Sequence, residues 1–224
     1  MGRKVHPTGF RLGIIRDWQA RWYADKKHFA HYLVEDARVR RFIAKNYRYA
    51  AISEVEIERT NDSIHVILHT ARPGVVIGRR GVEVDRLRSR LEEVAGKSVK
   101  ITIQEVTRPE LSATLLGQSI AEQLEKRAPF RRTMRRVAEM AREMGALGVK
   151  VQLAGRLAGS EMARREKVLE GSIPLHTLDA DVDFGFTEAM TQYGNIGIKV
   201  WVYKGSLKKE KPAHASDAEA GQVS

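Results

Sequence analysis

Apolar side chains recur at three- and four-residue steps from Phe29 through Tyr32, Leu33 and Ala37 to Ile43, and that period predicts a helix over about 29–46. Next, "SEVEIER" alternates Val55 and Ile57 with acids, and "SIHVILH" alternates Ile64, Val66 and Leu68 with polar residues. These read as two half-buried strands joined by a turn at "TNDS". After "TARPG" comes a short apolar run, Val75–Val76–Ile77, which ends at Gly78. From Val82 the period returns to 3.6, with Val84, Leu87, Leu91 and Val94 on one face until Gly96 closes the helix. "SVKITIQEV" then alternates as a third strand, so the first unit reads helix, strand, strand, short helix, Gly-x-x-Gly, helix, strand.

Pro109 opens a second unit. Leu116, Ile120 and Leu124 predict a helix over about 111–127, and Met134, Val137, Ala138, Ala141 and Met144 predict another over about 131–144. Strands are expected at "GVKVQLAG", "EGSIPL", "DVDFGFTEA" and "IGIKVWVY", giving an α+β layer built mostly of hairpins. The two ends carry no such pattern. "MGRKVHPTGFRLGIIRDW" has prolyl and glycyl breaks and no period, so residues 1–18 read as an extended basic arm that orders only on a partner. Residues 207–224, rich in Lys, Ala, Ser and Gly, read as a disordered tail. The domains expected between them are 19–106 and 107–206.

Charge decides what class of partner such a chain needs. Its 224 residues hold 39 Lys+Arg against 28 Asp+Glu, a formal net charge of +11, and this excess calls for a polyanion. Nucleic acid comes first. A membrane is disfavoured, since no apolar run reaches spanning length and the N-terminus has no signal-peptide core. Cysteine is absent, which excludes disulfides and thiolate metal sites. The excess is also uneven: residues 1–50 hold twelve Lys/Arg and four acids, among them Arg3, Lys4, Arg11 and Arg16 in the arm beside His6.

Three Gly-x-x-Gly pairs occur, and only their settings separate them. "GALG" (Gly145–Gly148) joins a helix to a strand without charge, and "GNIG" (Gly194–Gly197) reads as a turn or bulge in a strand approach. Gly78–Arg79–Arg80–Gly81 alone lies between two helical segments. There, missing Cβ atoms admit a sugar-phosphate backbone, the next helix directs free N–H groups toward it, and two arginines add charge. That is the combination by which KH domains clamp nucleotides, with a tight helix–helix turn as the alternative. "KRAPFRRTMRR" sets six positive and no negative charges in eleven residues. On a helix it turns Met134 and Val137 inward and spreads Arg131, Arg132, Arg135 and Arg136 over the outer faces, with no acid before Glu139 to balance them, which favours RNA over a solvated face.

Other clusters lead less far. Trp18, Trp22, Tyr23, Phe29 and Tyr32 can stack on bases or anchor the arm to the first core. His65 and His69 share a strand face without a carboxylate cluster, and no metal site is expected there. Asp179, Asp181 and Asp183 alternate along a strand and offer magnesium only a bare face. No catalytic set and no cofactor motif is found.

Beyond single motifs, the blocks "KVHPTGFRLG", "HTARPGVVIGRRG", "RPEL", "FRRTMRR", "GRLAGSEMAR", "PLHTLDADVDF" and "YGNIGIKVWVYKG" in this order resemble the bacterial family of small-subunit ribosomal protein three, over about residues 2–206. The resemblance implies a type II KH domain followed by a second α/β domain. It implies a cytoplasmic, ribosome-bound protein in the head of the 30S subunit, touching small-subunit ribosomal RNA and the neighbouring proteins ten and fourteen. It also implies a place at the mRNA entrance and a part in ATP-independent mRNA unwinding, assigned to positions matching Arg131, Arg132 and Arg135. Many members of that family carry aromatic and basic residues in the stretch "REKVLEGSIPLH", where this sequence has Lys167, Val168, Leu169 and Ser172. A second reading, a free KH-containing RNA-processing or nucleic-acid repair enzyme, stays open here because some relatives outside bacteria have such activities.

Overall fold

The computed structural model describes residues 4–60 and 63–206, which fold around two apolar cores, each packed on its own four-stranded sheet. In the first unit, helix α2 (Lys26–Asn46) precedes strands β2 (Ile52–Arg59) and β3 (Ser63–Thr70). Helices α3 (Pro73–Ile77) and α4 (Val82–Ala95) then cross over to β4 (Ser98–Glu105). Strands β2 and β3 pair antiparallel, whereas β3 and β4 pair parallel. A two-residue strand β1 (Ala20–Arg21), which the hydrophobic pattern does not signal, adds to the outer edge of β2. The helix–strand order is that of a type II KH domain. Of the residues expected inside, Ile43, Ile57, Ile64, Val66, Leu68, Leu87 and Leu91 are buried. Phe29, Leu33 and Ala37 of α2 are instead exposed, because α2 turns Glu35, Asp36 and Val39 inward, the two acids meeting Arg59. At about 25 cal/mol per Å² of apolar surface, each buried apolar side chain contributes roughly 1.5–3 kcal/mol of transfer free energy.

In the second unit, helices α5 (Ala113–Glu125) and α6 (Phe130–Glu143) lie on one face of a sheet ordered β6-β5-β8-β7, formed by β5 (Gly148–Gly155), β6 (Arg164–Gly171), β7 (Ala180–Thr191) and β8 (Gly194–Ser206). Helix α5 rides close on β7. A Cβ on Gly185 would stand 2.5 Å from the Ala113 carbonyl oxygen, so backbone meets backbone there. The strand expected at "EGSIPL" is corrected: pairing with β5 covers Arg164–Gly171 and stops before Ser172. "RREKVLEG" alternates in burial along a sheet edge, where charged residues are tolerated, while Pro174 has no N–H to give a ladder.

The arm is the larger correction. It is not extended, because Pro7–Phe10 form one helical turn, α1, capped by the His6 ring nitrogen on the Gly9 N–H, and the chain then closes a bridge from Leu12 to Arg16. Helix α1 packs on β7 of the second unit, and Arg11 and Arg16 bond to residues of that same unit. Arg11 has no exposed surface, and its guanidinium donates to five carbonyls, those of Pro7, Pro174, Leu175, Thr177 and Ala180. Burial, and secondarily the nearby Arg16 cation, pull its pKa below the usual arginine value, opposed by Asp181. Composition missed this because a lone arginine buried on carbonyls resembles any other basic residue in the sequence.

Polar links tie the arm to the second unit and the two units to each other. Arg16 pairs with Asp183 at 2.9 Å and lies 3.6 Å from Asp181, and Asp183 also accepts the Ala113 N–H. Burial lowers the Arg16 pKa, but Asp183 and Asp181 more than compensate and the net shift is upward. The alternating acids Asp181 and Asp183, for which no metal role was expected, are thus the counter-charge of the arm. Arg48 of the first unit reaches Glu125 of α5 at 2.8 Å, and Gln118 donates to the Ile52 carbonyl at 3.2 Å.

Candidate nucleic-acid interface

The Gly78–Gly81 segment is a left-handed loop between α3 and α4. Gly78 has φ 69°, Arg80 φ 55° and Gly81 φ 83°. A left-handed arginine costs of order 1 kcal/mol or more, and such strain gathers at binding loops. Gly78 is also sterically required, since an added Cβ would lie 2.8 Å from Glu83 Cβ. Both arginines are exposed, and neither has a carboxylate within 4 Å among the described residues. Val75, Ile77 and Val82 flank the loop with 42%, 41% and 62% of their surface in solvent, so an apolar floor borders the basic turn. Of the short apolar run Val75–Val76–Ile77, only Val76 is buried, and its two neighbours reach the surface beside the loop. The N-terminus of α4 is less bare than expected. Glu83 and Asp85 occupy its first turn, and the Val82 N–H is already bonded to the Arg79 carbonyl.

The other two Gly-x-x-Gly pairs carry no such loop. Gly145 links α6 to β5, and Gly194 closes the tight β7–β8 hairpin opposite Thr191.

On α6 the buried residues are Thr133, Met134, Val137, Ala138 and Ala141, which turns Arg131, Arg132, Arg135 and Arg136 out to solvent. Fourteen residues, no acid in the first turn and no side-chain cap leave the positive end of the helix dipole unopposed beside these arginines. The fold modifies one point of the sequence reading. Glu166 of β6 comes within 3.6 Å of Arg131, an acid that lies 35 positions away along the chain. Arg132, Arg135 and Arg136 retain no ion-pair partner among the described residues. Arg131 and Arg164 both lie over the Phe130 ring, each 5.7 Å from its centre.

Of the arm residues, Lys4 is exposed, Arg11 is sealed and Arg16 is tied to Asp183. His6 packs edge-on against Phe184 with ring centres 4.8 Å apart, and Arg3 lies outside the described residues. An RNA-binding role for Arg11 is therefore corrected, since its side chain is buried and each of its three guanidinium nitrogens already donates to a backbone carbonyl. The five aromatics separate: Trp22 packs on Phe29 and Tyr32 around Arg59, while Trp18 and Tyr23 are 60% and 91% exposed. His65 and His69 hydrogen-bond across the sheet to Glu58 and Glu56. Among the described residues no group of three or more His, Cys, Asp or Glu is placed to hold a metal ion, and no helix is long and apolar enough to cross a membrane.

Residues 38–111 match the family model of the KH domain, and residues 120–202 match that of "Ribosomal protein S3, C-terminal domain". The small ribosomal subunit protein uS3 of Pelotomaculum thermopropionicum is 51% identical over 221 residues, covering 99% of this chain and 96% of its own length. The chain belongs to the small ribosomal subunit protein uS3 family. That of Carboxydothermus hydrogenoformans is 48% identical over 222 residues, covering 99% of this chain and all of its own, and that of Xanthomonas axonopodis pv. citri is 53% identical over 207 residues, covering 92% and 85%. The uS3 family consists of ribosomal structural proteins and not enzymes, which removes the reading as a free RNA-processing or repair enzyme.

Proposed function

We propose that this protein is an RNA-binding constituent of the small ribosomal subunit, cytoplasmic and ribosome-bound, that sits in the head of the 30S particle and presents the α6 arginine face to messenger RNA at the entrance. One observation carries the reading: Arg132, Arg135 and Arg136 line a solvent-facing helix surface and have no ion-pair partner among the described residues. Arg131 and Arg135 stand one turn apart, about 6 Å along the axis. Guanidinium groups stay charged at any working pH and grip phosphates in pairs of hydrogen bonds, so this face holds separated strands and slows their re-annealing without ATP. Its contribution is electrostatic and involves no chemical step.

The KH loop, Gly78 to Gly81, serves as the second RNA contact, with phosphates against Arg79 and Arg80 and ribosomal RNA as its ligand. Residues 19–106 and 107–206 act as the two binding units, and the neighbouring head proteins ten and fourteen are the protein partners. Lys4 and the exposed side of the arm face ribosomal RNA, while Arg11 works as a structural clamp.

The test is the salt dependence of binding between the full chain and a single-stranded RNA. Three phosphate contacts predict that Arg132→Ala, Arg135→Ala and Arg136→Ala together make the log–log salt slope shallower by about 2. An unchanged slope removes these arginines from the RNA interface.

A further inference from the structure

A cavity of about 400 Å³ opens beside the first turn of α6, enclosed by the α5–α6 turn, the loop after β5 and the tip of the β7–β8 hairpin. Its floor is apolar and belongs to the second core: Leu124, Leu157 and Ile196 are all buried. Two aromatic rings border it. Phe130 opens α6, and Tyr193, at the hairpin tip, is 57% exposed. Gly159 makes room for the tyrosine, because at φ 78° an added Cβ would touch the ring at 3.0 Å.

The rim is positive. Arg156 lies over the Tyr193 ring at 5.5 Å and gives only its Nε, to the Ser160 carbonyl. Arg127 is exposed and has no carboxylate within 4 Å among the described residues. Glu125 is the acid of the lining, and its carboxylate already serves Arg48 at 2.8 Å and the Met190 N–H at 3.3 Å.

Strain marks the same place. Among the described residues four non-glycine positions have positive φ, and besides Arg80 of the KH loop these include Arg127 and Ala158, which both line this cavity. Residues held in such conformations gather at ligand clamps. The volume falls at the lower end of the roughly 300–1,000 Å³ of small-ligand pockets, enough for one planar ring system and too little for a duplex.

We propose that this cavity seats one unstacked base of single-stranded RNA, the base between Tyr193 and Phe130 and its flanking phosphates on Arg127 and Arg156. The inference rests on the α6 reading, since Phe130 is where the arginine face begins and a strand leaving that face reaches the cavity first. The occupant is RNA rather than a protein side chain because an apolar partner gains nothing from two unpaired cations. A nucleotide uses ring, floor and rim together. A base parked here is withheld from pairing, which adds to the unwinding role.

Binding of the full chain to hexauridylate is compared with binding to an abasic oligomer carrying the same number of phosphates. Tyr193→Ala is expected to weaken hexauridylate about tenfold, the scale of one stacked base, and to leave the abasic oligomer unchanged. Replacing Arg132, Arg135 and Arg136 by Ala weakens both ligands alike. If that variant loses both ligands while Tyr193→Ala binds hexauridylate as the parent does, the cavity proposal fails and the arginine face stands. In assembled 30S particles, a benzophenone amino acid at Gln192 provides a second reading that does not depend on the Tyr193 variant folding. An adduct with messenger RNA supports the seat, and an adduct with protein, or none, overturns it.

Discussion

Replacing Arg11 by Met removes a cation of similar length and leaves five carbonyls without their donor: those of Pro7, Pro174, Leu175, Thr177 and Ala180. At about 1 kcal/mol net per hydrogen bond, the clamp is worth at most about 5 kcal/mol. The observable loss is smaller, because the arm can leave its seat and water can then satisfy the carbonyls. The cost is capped at the free energy that docks residues 4–16, taken as about 3 kcal/mol, or a bit more than a hundredfold in the docking equilibrium. Hydrogen exchange reads this directly. The amides of Gly13, Ile15 and Arg16 donate to carbonyls within the folded arm, so they are expected to exchange about a hundredfold faster in Arg11→Met, while the amides of β3 keep their protection. Arg11→Lys should restore part of the protection, since one ammonium offers three donors in place of five. Parent-like exchange in Arg11→Met would show that the carbonyl cage does not hold the arm, and the account of the N-terminal segment would be wrong.

Gly78→Ala should cost about 2 kcal/mol or more than Gly81→Ala in urea unfolding, because both strain a positive φ but only Gly78 has Glu83 in the way. Arg59→Met should destabilise the KH unit by about 3–5 kcal/mol in the same assay, as it strands the buried Glu35 and Asp36 carboxylates without their cation. Arg79→Asp with Arg80→Asp should weaken single-stranded RNA binding by the full chain at low salt and leave the melting temperature within about 2 °C, since both side chains are solvent-exposed; unchanged affinity would remove the KH loop from the interface.

Much of this architecture is legible in the hydrophobic periods. Every strand of the KH unit longer than two residues, helix α4 and the inward face of α6 follow from the 2.0 and 3.6 repeats, because burial of one face drives each element. The helix at α2 was legible too, but not its inward face: Phe29, Leu33 and Ala37 are exposed, and Glu35, Asp36, Val39 and Ile43 are the buried residues. What escaped was held together by polar contacts or by distance along the chain. Arg11 and Asp183 meet their partners through backbone groups more than 60 positions away, and no local pattern encodes that. Glu166 beside Arg131 is invisible for the same reason. The start of β6 is hidden because this edge strand is mostly charged and carries no apolar alternation. At the candidate site, charge density exposed the α6 face, and the setting of Gly78–Gly81 between two helical segments exposed the KH loop. The cavity beside Phe130 draws its walls from three separate loops, and the left-handed Arg127 and Ala158 that distinguish it leave no mark on the residue types.

The central claim, that the α6 arginine face acts on messenger RNA, is tested most directly by translation rates on ribosomes carrying Ala at Arg131, Arg132 and Arg135. Two messages are compared, one with a stable hairpin downstream and one without structure. The account predicts slowing on the hairpin message alone; equal speeds relative to the parent on both messages would contradict it and leave α6 as a scaffold for ribosomal RNA.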